Sequence, residues 1–506
     1  MTLLRITTLL IVVTYCASVT PAQSRAVDMQ IKEAATEIER GLLQSAEAKL
    51  RAILKTNSQN PVALNLLGFV LFNRGQAEEA ERLLRRAVAL NSSFIAARIN
   101  LANLLLATGR AREAVAEFQQ AVKLDSKNTV ALAGLGSALA AQELWEDAIK
   151  VFEQARAIES SSLKLALALA DVLLKSNRRQ QADEIVNELA RAAEKAPELL
   201  VPVAAMLSDN NRHSDALPLL ETAVRNLPRD FDAQYSFGFL LYKLGRAKEA
   251  LRALNTAASI RPDRAEAYFA MGLAFAADKN DEDAVAAYRR AISLQPSFAE
   301  AYYEMGRLYL KHSQFETAVS ALTRAGIYAP RNPLYVASLG DAYYFWGQLE
   351  RARETYAKSF DMNPSALDIN YRIGAFHLKT GQHTDAETYL KREIELHADH
   401  VESHASLGEL YLLIGRDEEA EKMLARALAL KPEHATALFQ AGKLRVKQQR
   451  FEDAATAFKR VAELDPSNAQ AHYQLFLIYR RTGQQELAAK ELEVFQKMER
   501  GSKEPQ

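Results

Sequence analysis

Alanine stands at positions 46, 80, 114, 148, 182, 216, 250, 284, 318, 352, 386, 420, 454 and 488, each 34 residues from the next, with no insertion or deletion. An unbroken period of this length marks a repeat array, in which each unit buries its apolar side only against its neighbours. It therefore overrides the soft expectation of about three separate domains that 506 residues alone would suggest. Twelve residues before the alanines runs a second series: Gly68, Gly136, Gly238, Gly272, Gly306, Gly340, Gly374, Gly408 and Gly442. Ala34, Ala102, Ala170 and Ala204 take its place in four units and Phe476 in the last. Twelve residues after the alanines comes a turn residue, proline at 228, 262, 296, 330, 364, 432 and 466 and serine at 58, 92, 126 and 160.

Each unit reads as two short helices. In residues 265–298 the first helix puts Tyr268, Met271, Gly272 and Phe275 on one face. The second puts Ala284, Tyr288 and Ala291 on one stripe, and Pro296 ends it because proline cannot continue a helix. Gly272 and Ala284 are small where two helices cross closely, so a larger residue there should overpack. Asp281, Glu282 and Asp283 open the second helix, where negative charge complements the helix dipole; Asp417, Glu418 and Glu419, and Glu78 and Glu79, repeat the pattern.

The period and these small, aromatic and proline positions resemble the tetratricopeptide repeat. In residues 299–332, Tyr302, Met305, Gly306, Tyr309, Ala318, Leu322, Ala325 and Pro330 fill that motif in order. The resemblance runs over about residues 27–500 as fourteen units. It implies an all-α fold, an α-solenoid superhelix of stacked helix-turn-helix hairpins whose first helices line an inner groove. The expected organisation is a leader at 1–24, a weak first repeat at 25–60 and a continuous array at 61–498. Units start near 61, 95, 129, 163, 197, 231, 265, 299, 333, 367, 401, 435 and 469, and a polar tail occupies 499–506. Units 163–196 and 197–230 lack the signature glycine and most aromatics, so they are expected to bend or loosen the array.

The leader has one positive charge, Arg5, then an uncharged run from Ile6 to Ser24 with a short apolar centre. This is the pattern of a secretory signal, with Ala22 or Ser24 suited to the last position before a cut; the alternative is an uncleaved membrane anchor. Either way the expected location is exported, periplasmic or secreted, with membrane contact only through an uncut leader. Cys16, the one cysteine, lies inside it, and Tyr15 before it disfavours lipidation. A mature chain without Cys16 has no disulfide and no thiol nucleophile.

Chemistry is sparse. The 63 Lys+Arg balance 63 Asp+Glu, so no net positive field draws nucleic acid or an anionic membrane. Phosphate-loop, zinc-protease and nucleophile-elbow motifs are absent, and Gly134 and Gly136 are an isolated pair within a helix pattern. His397, His400 and His404, with Asp399 and Glu402, have residue types that bind zinc. Against that, His400 aligns with His434 one period on, and His404 with His472 at a position where other units pack tyrosine. The expectation is no metal, no cofactor and no catalysis, with a metal-dependent hydrolase as the alternative. Lys243, Lys311, Lys379, Lys447 and Arg481 recur at one position, read as positive charge at helix C-termini.

The resemblance assigns positions 2, 5, 9 and 12 of each unit to the groove. These include Tyr235, Phe239, Tyr242, Phe269, Tyr303, Arg307, Tyr344 and Tyr371, the expected partner-binding residues. Between Phe231 and Phe376 lie 24 of the chain's 40 aromatic residues, an excess over what the motif needs for its core. Two devices known in the family do not fit. Asn100 and Asn103 match part of a carboxylate clamp, but Val130 and Gly134 stand where its Lys and Arg belong. The asparagine ladder at position 6 is missing, that series reading Leu66, Asn100, Gly134, Ala168, Pro202, Ser236, Ala270, Glu304. The expected function is a non-catalytic scaffold that binds protein or peptide ligands in the groove. A cell-envelope assembly scaffold for polysaccharide export or secretion is the alternative.

Overall fold

The computed structural model describes residues 22–501. The leader expected at 1–24 lies outside them except for its last three residues, as do Cys16 and the tail beyond 501. Among the described residues there are 28 α-helices and no strand, arranged as fourteen successive hairpins. The chain divides into two compact units, one ending at Ile260 and one beginning at Arg261, and each holds seven hairpins. The all-α solenoid expected from the sequence is met within each unit. No helix is long and apolar enough to cross a membrane among the described residues.

Three periodic devices build each hairpin. The first is the small residue facing a large one sixteen positions later. A Cβ on Gly68 would lie 2.7 Å from Leu84 Cγ, and one on Gly306 would lie 2.7 Å from Leu322 Cγ. At Gly272 the opposing group is the fully buried Tyr288 ring, which cannot yield as a flexible chain end would. Gly272→Ala should therefore destabilise its hairpin by about 1–2 kcal/mol, overpacking outweighing the ~1 kcal/mol gained in helix propensity. A shift of the urea midpoint measures it.

The second device is the bend. Residue 15 of every unit has positive φ, being glycine at 41, 75, 109, 245, 347, 381, 415 and 483. Glu143, Asn177, Asn211, Lys279, Ser313 and Gln449 take the other six, at φ 56–62°. The left-handed residue lets the next N–H fold back onto the helix end, as Gln76 N does to Leu71 O at 2.9 Å.

The third is a side-chain cap that starts about half of the first helices. Asn60, Asn128, Asp230, Asn332 and Asn468 accept a backbone N–H two or three residues on. After two of the alanines at this position, Ala196 and Ala366, the helix starts late. After Ala196, a 3-10 turn at Pro197–Leu199 precedes Leu200–Asp209, a helix of only 10 residues. The next helix, His213–Asn226, carries Pro218 inside it, which removes one backbone bond. After Ala366 the helix begins at Ile369, two residues past the expected start. The last helix, Gln485–Gly501, runs past the expected beginning of the tail at 499.

The recurrent late-helix cations are largely neutralised. Lys311 pairs with Asp281 at 2.6 Å, Lys379 with Glu409 at 2.8 Å and Lys447 with Asp417 at 2.7 Å. Lys243 lies over the Phe239 ring and Arg481 over Phe451. Such exposed pairs add ~0.2–1 kcal/mol each and present no basic stripe.

Candidate functional site

In the first unit the helix Phe231–Lys243 gathers three of the expected residues into one ladder. Phe231 stacks on Tyr235 at 5.8 Å between centroids, Tyr235 on Phe239 at 6.0 Å, and Phe239 meets Tyr242 at 5.9 Å. Spacings of three and four residues put these rings on one helix face, where they hold one another in place. Phe231 is buried, and the other three are half-buried.

In the second unit Tyr303 stacks on Tyr335 of the next hairpin at 4.5 Å, and the Arg307 guanidinium lies over Tyr303 at 5.8 Å. Arg307 also pairs with Glu304 at 3.0 Å. Burial holds Glu304 above the usual carboxylate range despite that partner. Burial, with Glu300, Tyr303 and Glu304 nearby, also pushes the Tyr335 hydroxyl up, so it stays protonated and available as a donor at neutral pH. Tyr344 meets Phe376 edge-on at 5.9 Å. Arg372 pairs with Asp341, which also accepts from Tyr356 Oη at 2.6 Å. Burial draws Arg372 below its ordinary value, while Tyr303 and Arg307 act on it across two hairpins. Arg307 and Tyr303 thus form one contact on the second unit, backed by the buried Tyr335. Tyr371 lies further along, its ring 5.2 Å from His400 and its hydroxyl raised by burial.

Phe269 stands apart. Its ring packs on Phe298 at 4.9 Å and on Tyr288 at 5.8 Å, wedged between its own hairpin and the start of the next. Tyr335 backs Tyr303 and Arg372 pairs with Asp341, although the position rule picks out neither. The signal for Arg372 was its place beside Tyr371, one residue further round the same helix.

The histidine cluster separates into individual roles. His397 Nε2 donates to Ser365 O at 3.2 Å, and the buried His404 donates from Nε2 to Ala398 O at 2.9 Å. Asp368 Oδ1, 2.7 Å from His400 Nε2, and Ser403 Oγ, 2.8 Å from His400 Nδ1, line up as a charge relay would. Ser403 is wholly buried, however, and His400 Nδ1 accepts from its backbone N–H at 3.1 Å. The arrangement is a helix cap, and His434 repeats it by accepting from Ala437 N at 3.2 Å. Among the described residues, no three His, Cys, Asp or Glu converge to hold a metal ion. Asn100 donates to the buried Asn65 at 2.8 Å, a bond between neighbouring first helices.

Sequence reasoning missed Glu393. It is wholly buried, and its carboxylate accepts from Asp368 N at 3.0 Å and Tyr371 N at 3.3 Å. It supplies from across the hairpin the cap that Ala366 lacks. The available signal was periodic, since Ala291, Ala325, Ser359 and Ala427 occupy this position in other units.

Tetratricopeptide repeat models match residues 365–433; 99–162, 303–366 and 439–502; and 37–92, 139–200 and 207–273; a further TPR repeat model matches 276–313. No curated protein matches the chain. Among solved structures it is similar to the APC/C hetero-tetramer Cut9-Hcn1, at 16% identity and TM-score 0.43, over 89% of this chain and 96% of that one. It is also similar to yeast Tom70, at 15% identity and TM-score 0.45, over 93% of this chain and 99% of that one. Matched by repeat models over most of residues 37–502 on an unbroken 34-residue period, the chain belongs to the tetratricopeptide repeat family.

Proposed function

We propose that this chain is a non-catalytic scaffold that holds protein or peptide partners against the first-helix faces of its hairpins. The observation that carries this is the exposed Arg307 over the half-buried Tyr303 ring, which stacks on the buried Tyr335 in the second unit. Aromatic rings and arginines anchor interfaces because they offer large contact area together with polar tips. Here the rings stack on one another, so little side-chain freedom remains to be lost when a partner docks. Paired arginines and acids beside them offer both signs of charge, which suits a polypeptide better than a uniformly charged ligand.

Tyr303→Ala and Tyr344→Ala, made in the full chain, should each weaken partner capture about tenfold or more, as central anchors do. Immobilised protein, a cell-envelope extract and mass spectrometry supply the readout. Capture equal to that of the unsubstituted chain would overturn the assignment of the face. The leader pattern at 1–24 supports export to the cell envelope as the setting. N-terminal sequencing of the mature protein tests this, a start at Gln23 or Arg25 being the expected result.

A further inference from the structure

The helix Ala299–Lys311 carries three charged side chains on one face, Glu300, Glu304 and Arg307, at spacings of four and three residues. Glu300 and Glu304 stand about 6 Å apart along the axis, and Arg307 lies about one turn beyond. Arg307 is spoken for, since it pairs with Glu304 at 3.0 Å and rests on the Tyr303 ring. Glu300 is exposed and makes no ion pair or hydrogen bond among the described residues. The three groups together carry one negative charge, and it sits at the end away from Arg307.

Tyr335, from the next hairpin, lies beside that end. Its ring stacks on Tyr303 at 4.5 Å, and only 7% of the residue is exposed. A tyrosine buried this far usually finds a partner for its hydroxyl. This one makes no hydrogen bond among the described residues. Of the two carboxylates that act on the hydroxyl, Glu300 acts more strongly than Glu304, so the unused oxygen is turned toward the acidic end. Glu304 is itself left short of positive charge: burial outweighs Arg307 and holds its carboxyl above the usual range.

We propose that Glu300, Glu304 and the Tyr335 hydroxyl form a seat for the ammonium group of a lysine side chain on a polypeptide partner. The seat deepens the groove reading given above and rests on it.

The chemistry selects this occupant. An ammonium offers three donors, and two carboxylates with one hydroxyl oxygen offer the acceptors to match. Lysine carries its charge on an apolar stem, which suits a wall of stacked rings. Arg307 already shows a cation held on this helix by a ring and a carboxylate. A divalent metal wants more oxygen ligands, and no three His, Cys, Asp or Glu converge among the described residues. An anion would face two carboxylates, and Arg372, which could have welcomed it, is taken by Asp341.

Fluorescence anisotropy on the full chain, at physiological ionic strength, tests the seat with three labelled octapeptides. Alanine alternates with lysine in the first, with norleucine in the second and with glutamate in the third. The lysine peptide should bind about tenfold or more tighter than either counterpart, as hydrogen bonds to charged groups allow. Glu300→Gln, at an exposed position, should cancel most of that preference. Tyr335→Phe keeps the ring and every charge, and should weaken the lysine peptide about threefold while leaving the norleucine peptide unchanged. Glu418→Gln removes an exposed carboxylate elsewhere in the same unit and should alter binding by less than about twofold. Equal binding, or no binding, of the lysine and norleucine peptides would overturn the proposal, as would a lysine preference that survives Glu300→Gln and Tyr335→Phe. Should Tyr303→Ala still weaken partner capture while no lysine preference exists, the groove reading stands and the seat alone falls.

Discussion

Phe118→Ala should destabilise the first unit by about 3–5 kcal/mol, the cost of emptying a fully buried aromatic site. The Phe118 ring comes from the second helix of one hairpin and fills the notch left by Gly134 on the first helix of the next. A Cβ at Gly134 would fall inside the van der Waals radius of the ring. Gly134→Ala alone should therefore cost about 1–2 kcal/mol net of its helix-propensity gain. In the Phe118→Ala background the same methyl enters vacant space and should stabilise by about 1 kcal/mol. Urea unfolding of the four chains closes the cycle. The same methyl with the same sign in both backgrounds would show that ring and glycine do not form one contact.

Glu393→Ala should cost about 2–4 kcal/mol, although alanine is the residue that a neighbouring unit carries there. The alanine fits, but it strands two backbone donors, Asp368 N and Tyr371 N, that now bond a carboxylate. The loss should concentrate in Ile369–Lys379, where hydrogen exchange would quicken before that of the hairpins on either side. Adding Ala366→Asn restores the cap in its periodic place and should recover about 1 kcal/mol. Failure of that rescue would mean that the loop around Asp368, the one left-handed residue outside the regular bends among the described residues, has a cause other than the missing cap.

The sequence spoke clearly wherever one residue type at one phase had one job. Gly272 announced a close approach, and the Tyr288 ring against it is that approach. The two-helix rhythm was legible because Pro296 and its equivalents stop the chain at one phase. The bends were harder to see, since Glu143, Lys279 and Gln449 adopt the left-handed conformation as the glycines do. Only backbone geometry shows that they are equivalent. His400 and His434 were legible as a repeat habit, but capping depends on where a ring nitrogen points relative to an N–H, which no spacing encodes. The candidate site divides in the same way. The position rule implied by the resemblance named Tyr303 and Arg307, which lie in contact, yet it could not tell that Phe269 is held by Phe298. That distinction lies in the joint between two hairpins, where residues of different phase meet.

The uniform fourteen-fold bend has an engineering consequence. Because every unit turns at the same phase, cutting the gene at any two equivalent points and rejoining it would remove whole hairpins and bring like surfaces together. Shortened or lengthened versions within either unit should fold with the same local parts, making reach an adjustable property. The stretch from Asp341 to His400 resists this most: its locks run between particular residues, so a splice inside it would part a key from its matching keyhole.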